Sequence, residues 1–234
     1  MAPIWRLLLK SNPNIVGLLW LREEDYVYRH PVFEWLRGDR RVFSSQAAAE
    51  AFAGYAWGQL QRMEAFDLER MTEYEMLTAT IREHGPIIEV LEADAAKLLH
   101  IARSWRMELE TLKRFRKLHR AHFSGYMGEK RKRMVRKYRY DVKNAAHLIR
   151  LLRMGAEFLE TGELRVHRAV DGEELKAIKR GAWTLDEVKA EAGRLFAAVE
   201  EARARSPLPV RPDAAAANAL LLRMHREWLG VSAP

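Results

Sequence analysis

The chain has 234 residues, of which 48% are hydrophobic and 31% charged, and its formal net charge is +8. It has no cysteine, which excludes disulfides and cysteine-ligated metal sites, and no apolar run approaches the ~20 residues that a membrane span needs. The N-terminal stretch MAPIWRLLLKSNPN lacks the features of a secretory signal, so we expect a cytoplasmic protein with no membrane partner.

Helical patterns cover most of the first half of the chain. Apolar residues recur at three- and four-residue spacings from Gln46 to Phe66 and from Pro86 to His122, which is typical of amphipathic helices. A further helix is predicted from about Leu68 to Glu83. It ends before Gly85-Pro86 because proline is accepted at a helix start but not in a helix interior.

The second half contains clearer helix boundaries. Asp141 is a candidate N-cap of a helix that ends near Gly162, where glycine can take the left-handed conformation. Thr184 and Glu187 have the spacing of a capping box, which predicts a helix from there to about Arg205.

Two short segments predict strands. These are EDYVYRHPVF, from Glu24 to Phe33, and GELRVHRAV, from Gly162 to Val170, where β-branched and aromatic residues cluster between turn residues. The three prolines of SPLPVRP, from Ser206 to Pro212, predict an extended connector, and Asp213 caps a terminal helix after it.

Positive charge concentrates in the middle of the chain. Between Lys113 and Lys143 there are 13 Lys and Arg against two acids, Glu129 and Asp141. This segment favours a polyanion partner such as nucleic acid or nucleotide phosphates. A solvated helix face has the same composition, because Lys and Arg are also good helix formers.

The stretch YDVKNAAHLIRLLRMG, from Tyr140 to Gly155, aligns cations on one side of a helix. Lys143, His147 and Arg150 follow the spacing i, i+4, i+7 and form a strip about 10 Å long, whose spacing matches a run of phosphates. An exposed face with cations at these spacings is the alternative. The opposite arc is apolar and comprises Ala145, Leu148, Ile149, Leu152, Ala156 and Leu159.

The segment GYMGEKRKRMVRKYRY, from Gly125 to Tyr140, mixes cations with tyrosines. Basic residues interleaved with aromatic rings suit a nucleic-acid surface, since Tyr126, Tyr138 and Tyr140 could stack on bases. The alternative is that these tyrosines pack a helix junction with their hydroxyls at the surface.

The sequence contains no Gly-rich phosphate loop, no HExxH spacing and no Asp-x-Asp pair. However, GYMGEKRKRMVRKYRYDVKNAAHLIRLLRMGAEFLETGELRVHR and ELKAIKRGAWTLDEVKAEAGRLF resemble the C-terminal part of predicted nucleotidyltransferases of the DNA polymerase β superfamily, a bacterial and phage group linked with RNA repair. LLLKSNPNIVGLLW and FAGYAWGQLQRM resemble earlier segments of these proteins. The similar segments occur in the same order from about Ile4 to Trp228.

The resemblance implies transfer of a nucleoside monophosphate from an NTP to a hydroxyl, with Mg²⁺ as cofactor. Members of the family begin with a small mixed sheet that carries a Gly-Ser turn and an Asp-x-Asp pair. Here the chain is expected to start at about the helix that follows that sheet. No catalytic or metal-binding residue is therefore assigned, and this polypeptide alone is expected to be a poor catalyst.

The resemblance also directs the choice of binding residues. Lys143, His147 and Arg150 are predicted to bind the NTP triphosphate. The basic segment before them is predicted to contact the backbone of nucleic acid, with RNA expected, through Lys130, Arg131, Lys132, Arg133, Arg136 and Lys137.

The predicted fold is mainly α, the helical C-terminal portion of a nucleotidyltransferase-like α+β protein with one or two short strands. A single domain is expected. Its parts are residues 1–45, which would adjoin the missing catalytic sheet, helical hairpins at 46–124, and the basic and C-terminal helices at 125–234.

A non-catalytic helical module that binds RNA or a protein is the alternative function. A separate chain that supplies the missing sheet is a further expected partner, because the first helix would otherwise expose apolar surface. The apolar residues concerned are Ile4, Trp5, Leu8 and Leu9.

Overall fold

A computed structural model of the chain describes residues 2–64, 68–124 and 129–230. Within these ranges the protein is mainly helical and has no β-strand, which confirms the predicted mainly α class. No helix in the described ranges is both long enough and apolar enough to cross a membrane.

The chain divides into two compact units. The first combines Met1–Leu60 with Lys143–Pro234, and the second is Gln61–Val142. The sequence segments 1–45, 46–124 and 125–234 have different boundaries, because the first unit unites the two ends of the chain.

The first unit contains helices from both ends of the chain. Short 3-10 turns at Gly17–Trp20, Glu23–Asp25 and Arg40–Phe43 connect its N-terminal helices. Its α-helices are α1 (Ala2–Leu9), α2 (Pro13–Val16), α3 (Pro31–Gly38), α4 (Ala47–Glu64, whose last turn belongs to the second unit), α10 (Val142–Thr161), α11 (Gly172–Lys179), α12 (Leu185–Arg205) and α13 (Ala214–Leu229).

The predicted helix boundaries in this unit are confirmed where a local motif sets them. Gly162 has φ 71° directly after α10. The Thr184 backbone N–H donates to Glu187 at 2.6 Å, and the Glu187 N–H donates to Thr184 Oγ1 at 3.2 Å, which completes the capping box of α12. Asp213 accepts from Ala216 N–H at 2.9 Å and caps α13.

The predicted strand from Glu24 to Phe33 is wrong. A 3-10 turn occupies Glu23–Asp25, and Pro31 begins α3 while the His30 ring accepts from the Val32 N–H. Val27 and Tyr28 are exposed, so the alternating side chains do not form a buried face that would hold a strand.

The predicted strand from Gly162 to Val170 is also wrong. This segment has extended and turn conformations without a ladder partner in the described part of the chain. Val166 N–H donates to the carbonyl of Leu164, two residues earlier, which bends the backbone. A strand needs a neighbour at ladder distance, and local propensity alone does not supply one.

Helix α10 forms the centre of the first unit. The predicted apolar arc is buried at Ala145, Leu148, Ile149, Leu152 and Leu159. Leu151, Met154 and Phe158 are buried as well, so the buried surface extends further around the helix than the arc predicted. The polar side of α10 is correspondingly narrow.

The first helix does not expose all the apolar side chains that the sequence suggested. Trp5 and Leu8 are buried, and the Trp5 ring meets Phe43 edge-on at 5.2 Å between centroids. Ile4 is exposed. The apolar surface proposed as the seat of a separate sheet is therefore largely covered within the first unit itself.

The second unit has its own hydrophobic core. Its helices are α5 (Leu68–His84), α6 (Ile87–Glu92), α7 (Ala95–Ser104), α8 (Leu109–Ser124) and α9 (Glu129–Tyr138). Residues of α5 to α8 form the core, which includes Tyr74, Ile81, Leu98, Leu112, Phe115 and Leu118.

Three helices occupy the region from Pro86 to His122 that the sequence pattern joined into one long span. Asp94 interrupts it by capping α7, accepting from the Lys97 N–H at 2.7 Å. Arg106 has φ 52°, a left-handed conformation that ends a helix. The apolar periodicity continues across both breaks because every helix faces the same core.

Gly155 allows α10 and α4 to pack closely. A Cβ atom at position 155 would lie 2.9 Å from Phe52 Cβ, which is too close for two carbon atoms. We expect Gly155→Ala to lower the free energy of unfolding by about 1–3 kcal/mol, because Phe52 cannot withdraw without disturbing the core. Urea unfolding followed by circular dichroism measures this.

Gly193 of α12 provides the matched control. A Cβ there would meet no atom within 4 Å, so Gly193→Ala should raise stability by about 0.5–1 kcal/mol through helix propensity. An equal response of the two variants would contradict the close packing at Gly155.

Candidate functional site

Two of the predicted nucleic-acid contacts on α9 bind carboxylates of their own unit. Arg131 Nε donates to Asp141 at 2.6 Å, and the Asp141 side chain is 3% exposed. Arg136 forms an ion pair with Glu75 of α5. Both arginines therefore help to hold α9 in place, and only part of their charge is available to a ligand.

Other cations on α9 face the solvent. Arg133 and Lys137 are exposed, and Lys137 Nζ lies 5.0 Å from the centroid of the Tyr138 ring. The side chains of Lys130 and Lys132 lie outside the described part of the structure. The cationic surface of α9 thus includes Arg133 and Lys137.

The three tyrosines of the basic segment do not share one role. Tyr140 is 3% exposed, so its ring packs in the interior and is not available to stack on a base. Tyr138 is partly exposed, and Tyr126 lies outside the described residues. Stacking on bases, one of the two open interpretations, is therefore wrong for Tyr140.

The strip predicted to bind triphosphate lies along α10. Lys143 is exposed, whereas His147 and Arg150 are half-buried. All three belong to one regular helix, so the predicted i, i+4, i+7 alignment is present. The strip descends from a solvent-exposed end to a more buried one.

Arg150 is the most unusual cation of this strip. Burial lowers the pKa of its guanidinium below the ordinary value, and the nearby Arg168 lowers it further. No carboxylate or other hydrogen-bond partner reaches Arg150 within the described ranges. A half-buried arginine beside a second arginine is an environment that an anion would stabilise.

Arg153, one turn further along α10, has the opposite environment. Its guanidinium donates to Glu174 at 2.5 Å, Glu191 at 3.0 Å and Asp171 at 3.2 Å. Burial opposes the charged form, but these hydrogen bonds outweigh it and raise the pKa of Arg153. Arg153 thus joins α10 to α11 and α12 and has a structural role.

Arg168 is paired in the same cluster. It donates to Glu157 at 2.6 Å and to Asp171 at 2.7 Å. These bonds fix the irregular segment that follows α10, which the sequence predicted as a strand. Arg168 therefore keeps its charge near Arg150 while its own hydrogen bonds are satisfied.

A second basic surface on α8 is absent from the binding residues predicted from the sequence. Four side chains at the spacing i, i+3, i+4, i+7 line a groove of about 310 Å³. The described residues that line it are Lys113, Arg116, Lys117 and Arg120, and we call them the α8 strip.

Among the described residues, one member of the α8 strip has an ion pair with a carboxylate. Lys113 Nζ lies 2.7 Å from Glu110 in an exposed pair. No ion pair or hydrogen bond to Arg116, Lys117 or Arg120 is present in the part of the chain that the structure describes. The composition of the segment from Lys113 to Lys143 already indicates a polyanion partner, but it does not show which of its cations lie together on one surface.

A larger groove, of about 430 Å³, lies along the start of α12. Its described lining residues include Trp183, Glu187, Glu191 and Arg194. Glu187 belongs to the capping box, and Glu191 binds both Arg153 and Arg194. These carboxylates therefore support the fold, and the groove has no evident chemical role.

Metal ligands do not cluster in the described ranges. No group of three or more His, Asp or Glu side chains there is arranged to hold a metal ion. Mg²⁺ as a cofactor stays an expectation from the resemblance.

Comparisons with protein-family models, with curated proteins and with solved structures found no match to this chain. The described cations lie on α8 and α9 of the second unit and along α10 of the first.

The carboxylates that bind Arg153 and Arg168 should make the free energy of unfolding depend on pH in the acid range. The hydrogen bond from Arg168, with another from Arg153, holds the pKa of Asp171 below its ordinary value. A carboxylate with a lowered folded-state pKa contributes stability above its unfolded pKa of about 4 and loses that contribution as pH falls through the folded value. We expect Asp171→Asn to lower stability by about 2 kcal/mol at neutral pH and to flatten the decline below pH ~4.

Urea unfolding between pH 7 and pH 3 measures both effects. Asp186→Asn, at an exposed position in the first turn of α12, is the matched control and should change the pH profile much less, because its charge interacts only with the exposed helix N-terminus. Parallel profiles for the wild type and Asp171→Asn would show that Asp171 does not contribute to acid stability.

Proposed function

We propose that this chain binds nucleic acid, with RNA expected, through the basic surface of its second unit. In this proposal the chain is the substrate-holding part of a nucleotidyltransferase-like protein. We expect the protein to act in the cytoplasm, as the sequence suggests.

The observation that carries the proposal is an excess of cations without carboxylate partners. We call the segment from Lys113 to Lys143 the basic window. Ion pairs join four of its basic residues to acids, but several other basic residues have no ion pair within the described ranges. These are Arg116, Lys117, Arg120, Arg133, Lys137 and Arg139. A phosphate backbone would neutralise them and release its counterions, which is the main source of sequence-independent nucleic-acid affinity.

A solvated helix face is the simpler interpretation of these cations. It explains exposure, but it does not explain why acids are almost absent between Lys113 and Lys143. Ordinary exposed helices intersperse both signs of charge, since like charges at i, i+4 repel by a few tenths of a kcal/mol. The one-sided composition therefore favours a polyanion ligand.

Binding of an NTP triphosphate by Lys143, His147 and Arg150 is a second candidate function. Arg150 supports it, because its half-buried guanidinium has no carboxylate partner among the described residues, and such a charge costs folding free energy unless an anion offsets it. The exposed Lys143 at the other end of the strip adds a second charge. Arg offers two parallel donors to phosphate oxygens, and Lys offers a compact charge.

Nucleotidyl transfer is the activity that the family resemblance implies. In this proposal the cations of α8, α9 and α10 hold the phosphates, and a separate chain supplies the Mg²⁺ ligands. Incubation with labelled NTP, RNA and MgCl₂ tests this. Transfer of label to RNA would support the enzyme, and binding without transfer would support the non-catalytic RNA-binding module.

The exposed cations of α9 give the first binding prediction. We expect Arg133→Gln with Lys137→Gln to weaken binding of a fluorescent single-stranded RNA about threefold to tenfold at 0.1 M salt. The slope of log K against log salt should also fall by ~1.4, because each of the two lost phosphate contacts removes about 0.7 from it. Fluorescence anisotropy measures both quantities.

Arg82→Gln with Lys97→Gln, two exposed positions of the second unit outside the basic window, removes the same charge as a control. RNA affinity that is independent of salt in the wild type would contradict the proposed function.

Arg150 gives a prediction in which binding and stability change in opposite directions. Arg150→Met should leave thermal stability unchanged or raise it, because it removes a desolvated charge that has no carboxylate partner in the described ranges. It should weaken ATP and GTP binding at least tenfold, since a charge-assisted hydrogen bond contributes about 1.5–3 kcal/mol. Calorimetric titration and thermal melts check the two effects.

Arg165→Met, at an exposed position of the same unit, is the matched control and should retain nucleotide affinity. Nucleotide binding that survives both Arg150→Met and the double variant Lys143→Ala with Arg150→Ala would refute the triphosphate site.

A further inference from the structure

We infer that the α8 strip binds the phosphate backbone of a nucleic-acid strand. Its four residues differ from the α9 residues that the sequence predicts as nucleic-acid contacts. This inference rests on the proposed function and deepens it, because it names which residues of the second unit hold the strand. It concerns Lys113, Arg116, Lys117 and Arg120.

The spacing of the strip matches a short run of phosphates. Residues 113 and 120 are seven positions apart, which corresponds to about 10 Å along a helix. This length is enough for the strip to contact more than one phosphate of a strand, and the groove beside it offers a concave surface.

The core of the second unit fixes the direction in which the strip faces. Leu112, Phe115 and Leu118 are buried on the core side of α8, and Phe115 stacks on Tyr74 at 5.8 Å between centroids. The helix cannot rotate without exposing these side chains. The cations are consequently held on the other side of α8 before any ligand arrives.

Polar contacts on the flank of α8 reinforce this orientation. Arg114 forms two hydrogen bonds of 2.8 Å to Glu73, and Tyr74 Oη lies 3.0 Å from His119 Nδ1. Burial lowers the pKa of His119, which favours its neutral form. Arg114 thus joins α8 to α5, whereas the cations of the α8 strip point away from the core and can contact a ligand.

The chemical types in the strip suit phosphate oxygens. Arg116 and Arg120 lie four residues apart and can each present a two-donor fork, and Lys117 between them adds a compact charge. The exposed pair between Lys113 and Glu110 is weak in water, so a phosphate can compete for Lys113. None of these side chains reads base identity, so binding should be independent of sequence.

Anisotropy titrations of a fluorescent single-stranded RNA against three variants test the inference. The α8 variant carries Arg116→Gln, Lys117→Gln and Arg120→Gln. The control carries Arg82→Gln, Lys97→Gln and Arg103→Gln, which remove the same charge from exposed positions of the same unit. The third variant carries Arg133→Gln and Lys137→Gln on α9, and circular dichroism melts confirm that all three remain folded.

We expect the α8 variant to lose at least tenfold in affinity at 0.1 M salt. Its salt slope should fall by ~2, which corresponds to three lost phosphate contacts. The charge-matched control should stay within about twofold of the wild type. Affinity of the α8 variant equal to that of the control would overturn the inference, and a loss in the α9 variant alone would leave the proposed function intact.

Inorganic polyphosphate separates the chemistry of the strip from the proposed function. If the wild type binds no RNA, the proposed function fails, and the same variants are then titrated with polyphosphate. If the wild type binds polyphosphate and the α8 variant does not, the strip is a phosphate-binding site even without RNA binding. Binding that all variants share, or no binding at all, would overturn the inference.

Discussion

The burial of α10 is the constraint on which the first unit depends. The helix is enclosed on most of its circumference, and Gly155 allows it to approach Phe52 of α4 more closely than any side chain would permit. Because so little of α10 faces solvent, the few polar positions that remain are confined to one narrow strip. That confinement brings Arg150 into a half-buried position and places Arg153 among carboxylates.

The cations of this protein fall into two groups according to their partners. Arg131, Arg136 and Arg153 bind carboxylates and stabilise the arrangement of helices. Arg116 and Arg150 have no carboxylate partner in the described ranges, so their charge destabilises the folded chain unless solvent or a ligand screens it. The cations that carboxylates do not already neutralise are therefore the ones that can bind an anionic ligand.

The sequence predicts features that are set by neighbouring residues. The capping box at Thr184, the cap at Asp213 and the left-handed Gly162 all follow from contacts within a few positions. The two strand predictions were wrong because a strand needs a partner that is distant along the chain, which local composition does not specify. The contrast between Arg150 and Arg153 was equally inaccessible, since it depends on carboxylates of α11 and α12 that are remote along the chain.

The α8 strip lies on the same helix as three residues of the second unit's hydrophobic core, Leu112, Phe115 and Leu118. The register of α8 therefore couples the positions of the two sets. Each residue advances an α-helix by about 100°, so inserting a single residue between Leu112 and Arg116 would turn the cations toward α5 while the downstream core residues turned outward. Substitutions on the strip leave the core intact, whereas insertions and deletions rotate core residues out of their packed positions. Variation in α8 is therefore restricted in length far more than in composition.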